Sequence, residues 1–451
     1  MLQIENSTRI SEFFNNKYVT YAGYDTFRKT ASYIDGLKVS QRKAIWVALD
    51  AGNFKSIKVS QFASDVTRIT NYVHGEGSMQ SVITNLAKKY VGSNNINLLF
   101  PDGSFGSRFD EEPGAPRYIF VAKEPIIDAI FSKADLEIVD KQVFEGSEIE
   151  PSFLIPTIPL LLINGASGVG TGFKQQILPR NPKVIIKMIK DMLVNEHKYD
   201  GKKIAPWYRG FNGTISLDES GEGWKICGKA KYLNSTTILI EELPIGYNLN
   251  EYKKVLDKLV ETGKIKDFED LSDDDIFKFE VKVSRELSGM SENELLIYLK
   301  LIKKVSELFV CIDETNRVVE FNNEIEILKA FIKIKLRYMA KRKEHLLNEY
   351  RRDLKIIKFK LMFIKAIHES TLNVMVSTKE VVQQLEDAGY EKFDGSYSYL
   401  LDLKIHTLTE DRYAELKAEF KKIYDAFIQM RDSTCEQLFT QDLDSFSKEL
   451  K

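Results

Sequence analysis

The chain has 451 residues, more than most single domains contain, which predicts two to four domains. Hydrophobic residues make up 43% of it and charged residues 29%, a composition typical of a soluble globular protein with real cores. The net charge of -2 gives no global sign of a nucleic-acid partner, although a basic groove can be offset by acidic faces elsewhere.

The cysteines and the apolar segments exclude several classes of protein. Three cysteines lie far apart, with no CxxC pair and no histidine at metal-binding spacing: Cys227, Cys311 and Cys435. A disulfide framework or zinc site is therefore not expected, and a reducing compartment fits best. Residues 1–5 are polar and include an acid, unlike a signal peptide. The longest apolar stretch, residues 153–163, is broken by two prolines and is too short to cross a bilayer. We expect a cytoplasmic protein with no membrane partner.

Residues 1–155 are predicted to form short helices and a strand. Two runs of apolar residues recur at helical spacing: Val59, Phe62, Val66 and Ile69, then Val82, Leu86 and Tyr90. A polar turn at residues 74–78 separates the runs, an arrangement that suits a helix-turn-helix body. A glycine-containing loop at 103–106 and a strand at 118–121 follow.

Residues 156–320 have a more β-like pattern. Residues 236–240 form a β-rich run that ends at Pro244, and residues 277–283 alternate between apolar and charged side chains as a half-buried strand does. Residues 249–259, between these two runs, have helical spacing. The pattern predicts an α/β domain.

Residues 321–451 are predicted to be long-helical. Apolar residues three or four apart run past Leu346 towards Ile367, beginning with Ile325, Leu328, Ile332, Leu336 and Met339. A second helical stretch, residues 412–431, returns after an insert at about 370–410. Two long helices around a small insert predict an antiparallel coiled-coil arm capped by a globule. The fold class expected for the whole chain is therefore multidomain α+β.

The segment from Pro116 to Phe120 carries the chemistry of greatest interest. A tyrosine hydroxyl has a reference pKa near 10, so Tyr118 becomes a useful nucleophile only beside positive charge. Arg117 precedes it and can bind phosphate oxygens with its planar guanidinium. Taken alone, the pair is more simply explained as a solvent-facing arginine beside a half-buried tyrosine.

Motifs along almost the whole chain decide between these interpretations. In order they are DGLKVSQRK at 35–43, HGE at 74–76, YVGSNNINLL at 90–99, GSFGSR at 103–108, APRY at 115–118, NGASGVGTG at 164–172, PWYRGF at 206–211, EELPIG at 241–246, YLL at 399–401 and DLDSF at 442–446. Together they resemble the breakage-reunion domain of the type IIA DNA topoisomerases, and several details look closer to the eukaryotic enzyme than to bacterial gyrase. The length of the chain and the place where it ends resemble the medium subunit of a T-even-type phage topoisomerase.

The resemblance implies catalytic roles for four residues. Tyr118 would attack a DNA backbone phosphate and hold the 5′ end as a phosphotyrosyl ester, and Arg117 would stabilise the transition state. Arg28, seven residues before Asp35, falls where the family places a second catalytic arginine. His74 matches the family's histidine near the site, although a purely structural role in its turn remains an alternative.

The resemblance also implies DNA-binding roles. Lys38 and Arg42 would grip phosphates beside the scissile bond, and Lys43 is assigned to DNA binding with them. The glycine-rich segment 165–172 is not a P-loop, because Thr171 stands where the lysine is required. In the family this segment carries an apolar wedge that enters a base step and kinks DNA, and the aligned residue is Val169, where isoleucine is usual.

The basic segment at residues 329–365 has two open interpretations. Its cations include Lys333, Lys335, Arg337, Lys341, Arg342, Lys343, Arg351, Arg352 and Lys355. They would either line a groove that contacts DNA or form the solvated face of a coiled coil.

Two functions of the family have no motif in this sequence. Residues 273–275 are three aspartates in a polar loop without the glycine-rich strand of a TOPRIM magnesium site, and they are assigned to solvated surface. No nucleotide-binding motif occurs either. The resemblance therefore implies that Mg²⁺ is bound, and ATP hydrolysed, by a large ATPase/TOPRIM partner chain.

The sequence thus predicts a DNA-cleaving topoisomerase subunit in three parts: a winged-helix domain at 1–155, a tower at 156–320 and a coiled-coil arm with an exit gate at 321–451. The family implies a two-fold dimer of the chain on double-stranded DNA. The alternatives are a non-enzymatic protein that bends DNA with Val169, and an inactive paralogue. Both predict no covalent adduct, and intact Arg28, Arg117 and Tyr118 favour the enzyme.

Overall fold

The computed structural model describes residues 10–50, 55–273, 275–287, 289–404 and 409–450. The chain divides into two compact units, the first made of residues 1–335 and 440–451 and the second of residues 336–439. The expected divisions at 155 and 320 both fall inside the first unit and stay predictions. None of the helices in the described ranges is both long enough and apolar enough to cross a bilayer.

Helices occur in both units. Those of the first unit are α1 (Ile10–Glu12), a π-helical segment (Phe13–Tyr18), α2 (Val19–Lys29), α3 (Val39–Asp50), α4 (Val59–Thr70), α5 (Glu76–Ala87), α6 (Ile126–Ile130), α7 (Lys133–Leu136), α8 (Leu160–Asn164), α9 (Pro182–Val194), α10 (Leu249–Glu261), a 3-10 turn (Arg285–Leu287) and α11 (Glu292–Tyr298). The helix α12 (Glu324–His368) runs from the first unit into the second, which also holds α13 (Thr378–Asp387), α14 (Ser398–Leu401) and α15 (Glu410–Asp432). The helix α16 (Cys435–Glu449) begins in the second unit and ends in the first.

The strands found in the described ranges all belong to the first unit. They are β1 (Ile57–Lys58), β2 (Leu99–Asp102), β3 (Phe120–Lys123), β4 (Lys141–Phe144), β5 (Ser147–Pro151), β6 (Ala166–Val169), β7 (Lys174–Ile177), β8 (Thr214–Leu217), β9 (Trp224–Cys227), β10 (Lys229–Asn234), β11 (Thr237–Glu242), β12 (Asp267–Asp270), β13 (Phe279–Lys282), β14 (Ile302–Val305), β15 (Val310–Ile312) and β16 (Val318–Glu320).

The helices α3, α4 and α5 form a body beside a small antiparallel sheet of order β1-β3-β2. The predicted helix at residues 59–69 is confirmed, because Val59, Phe62 and Val66 are buried on one face of α4. This helix ends at Thr70, and the next residue, Asn71, is its C-cap with a left-handed backbone. The strand expected at 118–121 begins two residues later, at Phe120, so Tyr118 lies in the turn that precedes it.

Residues 214–305 contain two further antiparallel sheets, of order β10-β11-β13-β12 and β14-β9-β8. The β-rich run and the helix expected in this region are confirmed as β11 and α10. Helix α10 begins with a capping box, in which Asn248 and Glu251 each bond the other's backbone N–H. Its apolar face joins one core with the inner faces of β11 and β13.

A buried ion-pair network centred on Arg180 stabilises the first unit. The Arg180 side chain is fully buried, and its guanidinium donates to both carboxylate oxygens of Glu307, each at 2.6 Å. Glu307 also accepts from Nε1 of Trp224 at 2.8 Å. Because each charge is both paired and hydrogen-bonded, the network compensates much of its desolvation cost.

The second unit is built on the two long helices that the sequence predicts. Helix α12 packs on α15 through a small apolar cluster of Ile357, Ile364 and Leu416. The insert between them forms α13 and α14 around a second apolar cluster, composed of Phe359, Phe363, Leu372, Val381, Leu385, Tyr390, Tyr397 and Leu400. The expected pair of helices with a small globule is confirmed.

Candidate functional site

Tyr118 is exposed to solvent in a turn that backbone hydrogen bonds fix to the start of α4. Backbone hydrogen bonds join Ser60 N–H to the carbonyl of Pro116 at 3.1 Å and Val59 N–H to the carbonyl of Ile119 at 3.0 Å. These bonds fasten the turn to the first residues of α4, and the Ile119 side chain is buried beneath it. Tyr118, in contrast, is 70% exposed. Among the described residues its hydroxyl has no hydrogen-bond partner, so the oxygen is free to meet a large external substrate.

Arg117 supplies positive charge beside the Tyr118 ring. Its guanidinium carbon lies 5.0 Å from the centre of the Tyr118 ring, and the side chain is exposed. A planar guanidinium in this place can bind phosphate oxygens and offset the charge that develops during phosphoryl transfer. The pair therefore has the features of a nucleophile with its electrostatic partner.

Arg28 and His74 lie close together in the first unit. Arg28 is on α2, and His74 is in the turn between α4 and α5. Both line a cavity of about 130 Å³. Burial lowers the pKa of His74, and the nearby Arg28 lowers it further. The turn continues through Gly75, whose φ of +83° favours glycine, and α5 begins at the next residue.

Two aromatic side chains flank His74, and no sequence motif points to either of them. The hydroxyl oxygen of Tyr24 lies 2.5 Å from Nε2 of His74. The Tyr72 ring meets the imidazole edge-on, with ring centres 5.5 Å apart. Tyr24 stands four residues before Arg28, a spacing that places both on the same face of a helix, and this is the one signal that could have found it.

Lys38 contacts the β6–β7 hairpin. Its ammonium donates to the carbonyl of Ser167 at 2.6 Å, and burial lowers the pKa of the ammonium group. Lys38 is half-buried, so it retains a face towards solvent from which it could reach a phosphate.

Arg42 and Lys43 do not have the positions expected of phosphate-binding residues. Arg42 is buried and donates to both carboxylate oxygens of Asp35, at 2.6 and 3.1 Å. Lys43 is also buried and donates to Glu150 at 2.9 Å and to the carbonyl of Thr70 at 2.7 Å. Because an unpaired buried carboxylate is costly, these two ion pairs contribute to the stability of the helical body, and the role of Arg42 and Lys43 in DNA binding stays a prediction.

Val169 stands at the tip of the β6–β7 hairpin and is 65% exposed. The register pairs Val169 with Lys174, so residues 170–173 form the turn. Neither a P-loop nor a nucleotide cradle is formed, because the segment is strand and turn, not a loop that leads into a helix. An exposed apolar side chain at the tip of a hairpin is suited to insertion between bases.

Helix α2 packs closely against this hairpin. A Cβ on Gly168 would lie 2.1 Å from the carbonyl oxygen of Lys29, and a Cβ on Gly170 would lie 2.8 Å from the Cα of Thr26, so both positions require glycine. The Thr26 hydroxyl donates to the carbonyl of Thr171 at 3.1 Å. Asp25 accepts from the Thr171 hydroxyl at 2.9 Å. The helix that carries Arg28 is thereby fixed to the hairpin that carries Val169.

Several cations of the basic segment on α12 are engaged within their own unit. Lys343 donates to the carbonyls of Arg431 and Ser433, at 2.8 and 2.6 Å. Arg352 pairs with Asp394 at 2.6 Å and Lys355 with Glu391 at 2.8 Å. These contacts favour the solvated coiled-coil interpretation for those three side chains.

The described residues of the site do not fit a magnesium ion. Mg²⁺ prefers carboxylate and water oxygens, whereas the five candidate catalytic and DNA-contacting residues Arg28, Lys38, His74, Arg117 and Tyr118 are cationic or aromatic. Of the three aspartates at 273–275, Asp275 accepts the backbone N–H of Arg108 at 3.1 Å and Asp274 lies outside the described residues. These five side chains are suited to contact an anion rather than a metal ion.

The fold is that of a cleavage-reunion domain of the type IIA topoisomerase class. The solved DNA-binding, cleavage and re-ligation domain of Plasmodium falciparum topoisomerase II superposes with a TM-score of 0.87 at 29% identity, over 97% of this chain and 64% of that one. The chain belongs to the DNA gyrase/topoisomerase IV A-subunit family, whose model matches residues 28–444.

Curated relatives agree with this membership. The chain is 32% identical to the mitochondrial DNA topoisomerase 2 of Dictyostelium discoideum, over 98% of this chain and 35% of that protein. It is 28% identical to the DNA topoisomerase 2 of Acanthamoeba polyphaga mimivirus, over 96% of this chain and 40% of that protein. The chain therefore spans little more than a third of the length of these relatives.

Proposed function

We propose that this chain makes the transient double-strand break of a type IIA topoisomerase, with Tyr118 as the nucleophile. The observation that carries the proposal is the anchored turn that presents Tyr118 beside Arg117, with a hydroxyl that has no partner among the described residues. A buried tyrosine could not reach a phosphate of duplex DNA, and one without a cation would be a weak nucleophile.

The reaction exchanges one phosphodiester for another. The Tyr118 oxygen attacks the phosphorus and loses its proton, the bond from phosphorus to O3′ breaks, and the 3′ oxygen leaves as a hydroxyl. Arg117 offsets the charge on the phosphoryl oxygens. Attack by the same 3′ hydroxyl on the phosphotyrosyl ester reverses the step, so the backbone is resealed without an external energy source.

Three parts of the chain would have separate roles in DNA binding and strand passage. Helices α3–α5 with the β1-β3-β2 sheet would act as a winged-helix DNA-binding domain, residues 156–320 as a tower, and α12 with α15 as a coiled-coil arm that ends in an exit gate. A two-fold dimer would place one Tyr118 at each strand. Membership of the split, T-even-type phage enzymes stays a prediction.

A separate partner chain is part of this proposal. Phosphoryl transfer from a phosphodiester benefits from a metal ion, and the described site residues do not fit one. We propose that a large ATPase/TOPRIM subunit brings Mg²⁺ to the break and hydrolyses ATP to drive strand passage.

The purified chain is expected to bind duplex DNA but neither to cleave plasmid nor to hydrolyse ATP. Adding Mg²⁺ and the partner subunit should restore cleavage, and adding ATP should then permit relaxation. The measurement is plasmid cleavage and relaxation on agarose gels, and the controls contain one chain without the other. ATP-dependent relaxation by the rigorously purified single chain would refute the requirement for a partner.

Val169→Ala is expected to reduce DNA cleavage by weakening DNA bending, with the chemistry at Tyr118 intact. Unstacking a base step costs a few kcal/mol, and an inserted apolar side chain must offset that cost by contact with the exposed bases. Fluorescence energy transfer across an end-labelled duplex, in the presence of Mg²⁺ and the partner subunit, measures the bent fraction directly.

A matched control for this experiment is Val143→Ala, because Val143 is 70% exposed on a different hairpin. This control variant should bend DNA as the unmodified chain does. If Val169→Ala leaves the bent population unchanged at saturating protein, Val169 is not the wedge.

A further inference from the structure

His74 lines a cavity together with residues of several elements, and these neighbours affect the protonation of its imidazole ring. Arg28 faces it from α2, Lys43 from α3 and Tyr72 from the turn itself, all as lining of one cavity. Tyr24 also lines this cavity, and none of the lining residues is an aspartate or glutamate, so no carboxylate there favours the imidazolium form. Burial and Arg28 both lower the pKa of His74. At neutral pH the ring is therefore neutral, with one nitrogen protonated and the other free to accept.

The one hydrogen bond of the His74 ring among the described residues is to Tyr24. The two heavy atoms, Tyr24 Oη and His74 Nε2, are 2.5 Å apart, and the rings lie 5.8 Å apart between centres. A neutral imidazole nitrogen is a better acceptor than a phenol oxygen, and a phenol O–H is a better donor than an imidazole N–H. The hydroxyl of Tyr24 is therefore the donor, and Nε2 is the acceptor.

The neighbours of Tyr24 on α2 fix the position from which its hydroxyl donates to His74. Asp25 pairs with Lys29 at 2.9 Å and accepts from Thr171, and Thr26 donates to the Thr171 carbonyl. These contacts fix the helix against the β6–β7 hairpin on one side, while Tyr24 and Arg28 reach His74 on the other. A tyrosine on a fixed helix can define the orientation of an imidazole in a way that a residue in a free loop cannot.

We propose that Tyr24 is a positioning residue that donates its hydroxyl hydrogen to Nε2 of His74 and so keeps the proton of the neutral ring on Nδ1. Nδ1 has no hydrogen-bond partner among the described residues, so its N–H is the donor that remains for a phosphate oxygen of bound DNA. The proposal rests on the proposed function only in naming that phosphate. The tautomer itself is a property of the free chain.

Labelling with diethyl pyrocarbonate tests the Tyr24–His74 contact without DNA. The reagent modifies neutral imidazole, so the extent of labelling at His74, followed by peptide mass spectrometry from pH 5 to 8, reports the pKa of this ring. Tyr24→Phe keeps the aromatic ring and removes the donor that stabilises the unprotonated Nε2. The labelling midpoint should therefore rise by about half to one pH unit.

Tyr21→Phe is the matched control, because Tyr21 is on the same helix, is 60% exposed and has no hydrogen-bond partner among the described residues. Its labelling midpoint should equal that of the unmodified chain. An unchanged midpoint in Tyr24→Phe, or a midpoint shifted to lower pH, would overturn the proposal.

Two replacements of His74 then identify which ring nitrogen donates a hydrogen bond to the DNA phosphate. The amide nitrogen of Asn occupies the place of Nδ1, and that of Gln occupies the place of Nε2. In the complex with Mg²⁺ and the partner subunit, His74→Asn should cleave DNA at least about tenfold faster than His74→Gln. The reverse order would show that Nε2 is the donor and would contradict the tautomer. If the unmodified complex does not cleave DNA at all, the proposed function fails, whereas the labelling result still decides the role of Tyr24.

Discussion

Replacing Tyr118 with Phe should abolish covalent attachment of DNA to the chain and leave duplex binding within about threefold. The substitution removes only the nucleophilic oxygen, while binding depends on phosphate contacts spread over many residues. Because the side chain is exposed and its hydroxyl has no partner among the described residues, the fold should not change. Denaturing gels that retain protein-linked DNA measure the adduct, and fluorescence anisotropy with a labelled duplex measures binding.

The matched control is Tyr424→Phe, which removes the hydroxyl of another exposed tyrosine, far along the sequence in the second unit. It should form the adduct at the unmodified level. Protein-linked DNA trapped on the Tyr118→Phe variant would exclude Tyr118 as the nucleophile.

Arg180→Met should destabilise the first unit by about 3–5 kcal/mol, because it leaves the buried carboxylate of Glu307 without the cation that neutralises its charge. Both charged groups are almost fully buried, and Glu324 accepts from Ile204 N–H beside them. Methionine fills much of the volume but provides no donors. The measurement is the midpoint of urea unfolding, followed by tryptophan fluorescence, since Trp224 bonds to the same carboxylate.

Arg68→Met is the control, because Arg68 is 72% exposed and lies 3.7 Å from Asp65 on the surface of α4. An exposed pair of this kind is worth about 0–1 kcal/mol, so its midpoint should scarcely move. Equal midpoints for the two variants would show that the Arg180 network does not stabilise the unit.

Most of the secondary structure can be predicted from the sequence because its periodicity is local. Helix α4 follows from the spacing of Val59, Phe62 and Val66, and α12 from an apolar stripe that continues over many turns. The limits of strands are harder to predict. The sequence pattern places Tyr118 in a strand that in fact begins at Phe120, because the backbone bonds that hold the turn come from residues 59 and 60, far away in the sequence.

The place of a candidate site residue can be predicted where residues of known chemistry coincide with family motifs, as with the exposed Arg117 and Tyr118, whose catalytic role stays a prediction. It is not predictable where a charge is neutralised by a distant partner. Arg42 and Lys43 have the charge expected of DNA-binding residues, yet Asp35 and Glu150 engage both of them in the interior. Tyr24 escapes prediction because its partner His74 is 50 positions away and no local pattern joins them.

The role of Tyr118 as the nucleophile can be tested by identifying the protein atom that is covalently bonded to the DNA after cleavage. The complex with Mg²⁺ and the partner subunit is trapped by denaturation, digested with nuclease and protease, and sequenced by mass spectrometry. We expect a single nucleotide linked through its 5′ phosphate to the Tyr118 side chain. An adduct on any other residue, or a linkage through a 3′ phosphate, would contradict this role.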